Sequence, residues 1–140
     1  MAEVLRALEI RAPADEVWTT IADFAAVESY SPRVARCELE GADGPGQLRH
    51  LTLQDGTLTT SRLISIDPAE RSMRYAILVT ALPLADYTST IRVDALTDTR
   101  CNVTWASRFE PSGASLEEAS AFLTGSLAAG LEELRKLHER

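Results

Sequence analysis

SLEEASAFLTGSLAAGLEELRKLH, running from Ser115 to His138, carries the strongest helical period in the chain. Leu116, Ala119, Leu123, Leu127, Gly130, Leu131, Leu134 and Leu137 recur at helical spacing. At roughly 100° per residue they share one apolar stripe about 120° wide. Ser115 is a good N-cap, with Glu117 and Glu118 in the first turn, where the helix dipole favours negative charge. Arg135, Lys136, His138 and Arg140 stand at the other end, where it favours positive charge. A helix of this kind needs a sheet to lie on.

One flank of the stripe goes beyond packing. Phe122, Ser126 and Gly130 are four apart and therefore line up along the helix. Two of the three are small, and a helical glycine costs about 1 kcal/mol relative to alanine. Two readings stand side by side: the helix leaves room for a ligand here, or the sheet backbone approaches it closely.

At 140 residues the chain fits one domain, 1–140, long enough to bury a substantial core. Hydrophobic content of 45% and charged content of 25% are those of an ordinary globular protein. No apolar run approaches the roughly 20 residues of a membrane helix, and Met1-Ala2-Glu3-Val4-Leu5-Arg6 is too polar for a secretory signal. Cys37 and Cys101 are far apart, which argues against a disulfide framework and for a reducing cytoplasm. The net charge of −7, from 14 basic and 21 acidic residues with no Lys/Arg cluster, argues against a nucleic-acid partner. No repeat or low-complexity tract divides the chain.

The residues before the long helix read as its sheet. Val4 to Ile10 is compatible with a first strand, and Ala14 to Phe24 reads as a short helix with Val17, Trp18, Ile21 and Phe24 inward. Ala25 to Val27 either extends it or begins a second short helix. Pro32 pushes Ser31 out of helical conformation. Strands follow over Val34–Glu40, Gln47–Leu53, Leu58–Ile66, Ser72–Val79, Tyr87–Leu96 and Asn102–Phe109. Asp55-Gly56 is a two-residue hairpin signal between the third and fourth strands. One strand, a helix, six strands and a long helix make an α+β fold with a curved antiparallel sheet of seven strands.

Several strings resemble the SRPBCC or START-like (helix-grip) superfamily. That group includes START-like lipid carriers, the major birch pollen allergen, plant abscisic acid receptors and polyketide cyclase/dehydrase-like bacterial proteins. The strings are Ala12 to Trp18 at the first helix, Tyr30-Ser31-Pro32, Gly44 to Arg49, Ser61-Arg62-Leu63 through Asp67-Pro68, and Arg71 to Tyr75. Val103-Thr104-Trp105 to Phe109-Glu110-Pro111 and the terminal helix complete the set. The resemblance spans nearly the whole chain and is strongest to the small bacterial cyclase/dehydrase-like proteins. It implies a long helix crossing the concave face of the sheet and enclosing a cavity. It specifies fold well and function poorly, because one fold hosts many roles.

Strand alternation says which side chains share a face. Gln47, Arg49, Leu51 and Leu53 form one set; Met73, Tyr75 and Ile77 a second; Tyr87, Ser89, Ile91 and Val93 a third. Comparison with the allergen and the hormone receptors turns all three inward. In the last strand hydrophobicity selects Val103, Trp105, Ser107 and Phe109, whereas the family register selects Thr104, Ala106 and Arg108, and the choice stays open. An arginine among Leu51 and Leu53 must find an acid partner, meet a ligand's carboxylate or carbonyl, or snorkel to the rim, so Arg49 is the polar residue to follow. Tyr75, Tyr87 and Ser89 supply hydroxyls either to a ligand or to the core. With Arg49 they make the sparse polar lining of a mostly apolar pocket.

The candidate ligand-binding set is Arg49, Leu51, Tyr75, Ile77, Tyr87, Ser89, Phe122, Ser126, Gly130 and Tyr30, with Arg62 weaker and Trp18 read as core. The loop Ala81-Leu82-Pro83-Leu84-Ala85 borders the pocket mouth by resemblance; it is equally readable as tucked onto the helix or as a dimer surface. His50 and His138 are isolated, and no metal-binding, phosphate-binding or nucleophile motif is present. No cofactor or metal is expected. The expected function is binding of a small hydrophobic or aromatic ligand, for transport, sensing or sequestration, by a monomer or homodimer. The alternative is an aromatase/cyclase or dehydratase-like enzyme, with Arg49 polarising a carbonyl and Tyr87 or Tyr30 relaying a proton.

Overall fold

Strands β1 (Ala2–Ile10), β2 (Val34–Glu40), β3 (Leu48–Leu53), β4 (Leu58–Asp67), β5 (Ser72–Thr80), β6 (Leu84–Thr97) and β7 (Arg100–Pro111) form one sheet in a computed structural model that describes residues 2–139. Arg140, grouped above with the basic end of the last helix, lies outside the described residues. The order is β1-β7-β6-β5-β4-β3-β2, antiparallel throughout. Between β1 and β2 the chain crosses from one edge of the sheet to the other through helix α1 (Ala14–Ala22) and a 3₁₀ helix (Phe24–Ser29). Register shifts in the β2–β3, β4–β5 and β6–β7 pairs bend and twist these strands, as bulges do. With the long helix α2 (Leu116–His138), this is the expected α+β helix-grip plan.

The boundaries have local causes. Helix α1 stops because Asp23 turns extended (φ −78°, ψ 100°) and its carboxylate accepts from Ala25 N–H at 3.2 Å, starting a separate 3₁₀ helix. The Asp55-Gly56 turn is a three-residue loop rather than a two-residue one. Leu53 N–H donates to Thr57 O at 2.8 Å, and Gly56 takes φ +88°, the left-handed position that such a loop needs. Strand β6 begins at Leu84 because Leu84 and Ala85 pair with Pro111 and Glu110, and a bulge at Asp86 (φ 50°) then resets the register. The apolar loop is thereby cut to Ala81–Pro83.

Helix α2 has a capping box. Ser115 Oγ accepts from Glu118 N–H at 3.0 Å, and Glu118 Oε1 accepts from Ser115 N–H at 3.3 Å. Such a cap contributes about 1 kcal/mol. Of the stripe, Ala119, Leu123, Leu127, Gly130, Leu131 and Leu134 are buried; only Leu116 and Leu137 at the two ends are exposed. Each buried leucine contributes roughly 1.5–3 kcal/mol. The helix rests chiefly against β1 and β7, which leaves the ground toward β3–β5 less filled. At its far end Glu139 accepts from Arg11 N–H at 3.0 Å, and His138 meets Thr20 Oγ1 at 2.9 Å.

In β7 the hydrophobic set faces in: Val103, Trp105, Ser107 and Phe109 are buried, and Arg108 is exposed. The two β6–β7 register shifts fall at Ala85/Thr88 and Ala95/Thr97, outside this stretch, so nothing reverses its faces. No described helix is long and apolar enough to cross a membrane.

Candidate ligand chamber

A cavity of about 110 Å³ lies between the first half of α2 and the concave face of the sheet. Its floor is built by period-two alternation: Leu51 and Leu53 from β3, Thr59 from β4, Tyr75 and Ile77 from β5, Leu84 and Tyr87 from β6, Trp105 from β7. Phe122, Leu123, Ser126 and Leu127 of α2 close it from above, and Ser31, Arg33, Val34 and Leu82 surround the mouth. The chamber is apolar except for a few hydroxyls. Its volume is smaller than the ~150 Å³ of a closed engineered cavity that holds benzene, but it opens at a mouth, so a single ring seats there with its outer edge projecting.

Arg33 spans the mouth. Its Nε donates to Ser126 Oγ at 2.9 Å, and its Cζ stands 4.2 Å from the Phe122 ring centroid. Outside it lies a second hollow, about 330 Å³, which shares Ser31, Arg33 and Ser126 with the chamber and adds Pro32, Gln54, Gly125 and Ala129.

Behind the sheet-side wall runs a buried hydroxyl network. Tyr87 Oη and Ser107 Oγ are 2.8 Å apart, and Ser107 Oγ and Ser89 Oγ 3.0 Å. Ser89 Oγ also accepts from Trp105 Nε1–H at 2.8 Å and donates to Ala106 O at 3.1 Å. This is why two serines sit in an apolar core: they satisfy the polar ends of two large side chains. Burial pushes the Tyr87 hydroxyl well above the ordinary tyrosine range, with Tyr75 adding to the effect. Tyr30 is pushed up to about 12 by burial, against the pull of the Arg49 charge.

Of the ten candidates from the sequence, Leu51, Tyr75, Ile77, Tyr87, Phe122 and Ser126 line the chamber. The other four stand behind its wall. Ser89 belongs to the hydroxyl network. Tyr30 packs edge-on to Trp105, ring centroids 6.1 Å apart. Among the described residues Arg49 is neither on the rim nor in an ion pair: it is 2% exposed, with Nη1 donating to Phe24 O at 3.1 Å. Its Cζ lies 4.0 Å from the Phe24 ring and 4.8 Å from the Tyr75 ring, and its Nε has no hydrogen-bond partner. Arg49 thus stacks on Tyr75, which lines the chamber, without lining it itself. Gly130 matches neither reading of its flank as stated: the space beside it is filled by the Trp105 side chain, not by a ligand void or by sheet backbone. Arg62 points to the exposed outer face, as its alternation with the buried Ser61 and Leu63 requires.

A family model described as polyketide cyclase / dehydrase and lipid transport matches residues 1–139. The chain belongs to that family. Among relatives of this family member is the abscisic acid receptor PYL7 of Arabidopsis thaliana, 26% identical over 138 residues. That match takes in 94% of this chain but 65% of the receptor, so the chain spans about two thirds of the length of the curated relative it matches. The protein XoxI from Bacillus cereus superposes with a TM-score of 0.91 at 28% identity, over 99% of this chain and 96% of that one. The Zhui aromatase/cyclase from Streptomyces sp. R1128 superposes with a TM-score of 0.83 at 24% identity, over 99% and 94% of the two chains, a likeness of fold.

Reading this family member from its residues missed Arg33, Trp105 and Thr59 as chamber residues. Arg33 follows Ser31-Pro32 and looks like any turn cation; only the fold brings it to Phe122 and Ser126, some ninety positions on. Trp105 carried a usable signal, the alternation of Val103, Trp105, Ser107 and Phe109.

Proposed function

We propose that the protein binds a small hydrophobic or aromatic molecule in the chamber under α2, as a carrier, sensor or sequestering protein. One observation carries the reading: the space is lined mostly by apolar surface, with hydroxyls from Ser31, Thr59, Tyr75, Tyr87 and Ser126 and the Arg33 guanidinium at the mouth as its few polar groups. That is the composition of a ligand pocket, apolar for affinity with few polar groups for orientation. In this reading Leu51, Tyr75, Ile77, Tyr87, Phe122 and Ser126 touch the ligand. Tyr30, Arg49, Ser89 and Gly130 shape the wall behind them. The chamber suits a single ring or a short branched chain; a larger ligand would project through the mouth.

A cyclase or dehydratase-like activity is the second reading, favoured by family membership and by the hydroxyl chain that ends at Tyr87 on the chamber wall. Two features weigh against it. Arg49, the natural group to polarise a carbonyl, is not among the residues that line the chamber. Burial raises the hydroxyls of Tyr87 and Tyr30, which makes both poorer proton donors than a general acid working near neutral pH.

Mass spectrometry of the protein, isolated from its own cells under native conditions, distinguishes the readings. A stoichiometric apolar or aromatic adduct, released unchanged on denaturation, is the result expected for a binding protein. Accelerated ring closure of a linear poly-β-ketone added to the pure protein would favour the enzyme instead.

A further inference from the structure

Arg33 is set apart by its place at the chamber mouth together with the partners it has there. Arg11, Arg36, Arg71, Arg92, Arg100 and Arg135 each face a carboxylate. Arg33 makes no ion pair among the described residues; its contacts are the Ser126 hydroxyl and the face of Phe122. Asp55 shares a shallow depression with Arg33 on the protein surface, but its carboxylate is turned back onto Thr57 N–H at 2.9 Å. The Asp55 carboxyl, held low chiefly by Thr57, also feels the Arg33 charge. Even so, a guanidinium whose one side-chain hydrogen bond goes to a hydroxyl retains much of its capacity to bind an anion, because it presents five donors in a planar fork.

Its place is as informative as its charge. Ser31, Arg33 and Ser126 belong both to the apolar chamber of about 110 Å³ and to the outer hollow of about 330 Å³. The inner space takes an apolar body of about one ring, and the outer one offers Gln54, Ser31 and Ser126 as polar partners around a single positive charge. Building on the binding reading above, we propose that the ligand is a two-part molecule. An aromatic or branched apolar body enters the chamber, and a carboxylate remains in the outer hollow on Arg33. A carboxylate fits better than a phosphate ester, since one guanidinium matches one negative charge, its two oxygens match the fork, and the protein carries a net charge of −7. On binding, the guanidinium exchanges its bond to Ser126 for the stronger, charge-assisted pair to the ligand.

The test compares 3-phenylpropanoate with 3-phenylpropanamide, which share a body and differ in charge, by calorimetry on the native protein and on Arg33→Gln. The expected result is a carboxylate bound about tenfold more tightly than the amide, an advantage that weakens as salt is raised. In Arg33→Gln, with its circular dichroism unchanged, the ratio of the two affinities falls to about one. Equal affinities on the native protein, or a carboxylate preference that survives Arg33→Gln, would overturn the assignment while leaving the chamber reading intact. Failure of both molecules to bind would overturn the chamber reading, and this inference with it.

Discussion

Gly130 lies directly against Trp105: a β-carbon at residue 130 would stand 2.7 Å from Trp105 Cζ3 and 3.4 Å from Cη2, with Tyr30 O 3.5 Å away. No real β-carbon tolerates the first of these distances, so the long helix reaches this depth over the sheet only with glycine there. Helix propensity alone predicts that Gly130→Ala stabilises by about 1 kcal/mol. Overpacking a rigid indole costs about 1–3 kcal/mol. The contact dominates, and urea denaturation should show a net loss of about 1 kcal/mol. A more stable variant would mean that the indole moves aside freely.

The hydroxyl network makes an ordering prediction. Tyr87→Phe removes one hydroxyl and leaves Ser107 still bonded to Ser89, so it should cost about 1 kcal/mol. Ser89→Ala orphans the buried Trp105 Nε1–H, whose one acceptor among the described residues is Ser89 Oγ, and should cost more, about 1–3 kcal/mol. Equal denaturant midpoints for the two variants would show that Trp105 finds another partner.

Arg49 is held by stacking and one carbonyl rather than by an acid. Arg49→Met leaves Phe24 O without this donor, a loss of roughly 1–3 kcal/mol, partly offset because a buried cation no longer needs desolvating. A variant more stable than the native protein would contradict this account. A tenfold loss of affinity for an aromatic probe, at unchanged stability, would instead put Arg49 on the ligand.

Alkaline pH should destabilise the fold through its buried phenols. An unfolded tyrosine ionises near 10.0, whereas Tyr30 in the native state holds its proton to about 12. The native state therefore binds more protons than the unfolded one above pH 10, and stability falls as pH rises from there through 12. Tyr87 acts in the same direction. Ultraviolet titration should show these two tyrosines ionising only as circular dichroism reports unfolding. Tyrosinate absorbance from all three tyrosines in the intact fold would contradict the burial of Tyr30 and Tyr87.

The fold was legible because each element satisfies a local rule: the leucine stripe, the Ser115 cap, the strands of period two. The floor of the chamber followed from the same alternation, which brought Leu51, Tyr75, Ile77 and Tyr87 to one face. What stayed hidden depends on distances between elements. Whether Gly130 made room or allowed contact depended on where Trp105 came to rest. Arg49 read as a residue in need of an acid, a ligand or the rim, because its sequence neighbours say nothing of the Phe24 carbonyl and the rings of Phe24 and Tyr75 that surround it. Arg33 was invisible as a mouth residue for the same reason.

The account turns on an unfilled apolar space beneath α2 that a small molecule can enter. Trp105 lines that space and Trp18 packs in the core away from it. Titrating the protein with toluene while following both indole N–H signals by NMR tests the claim directly. The account predicts a saturable shift of the Trp105 signal and none at Trp18; no saturable change at Trp105 would contradict it.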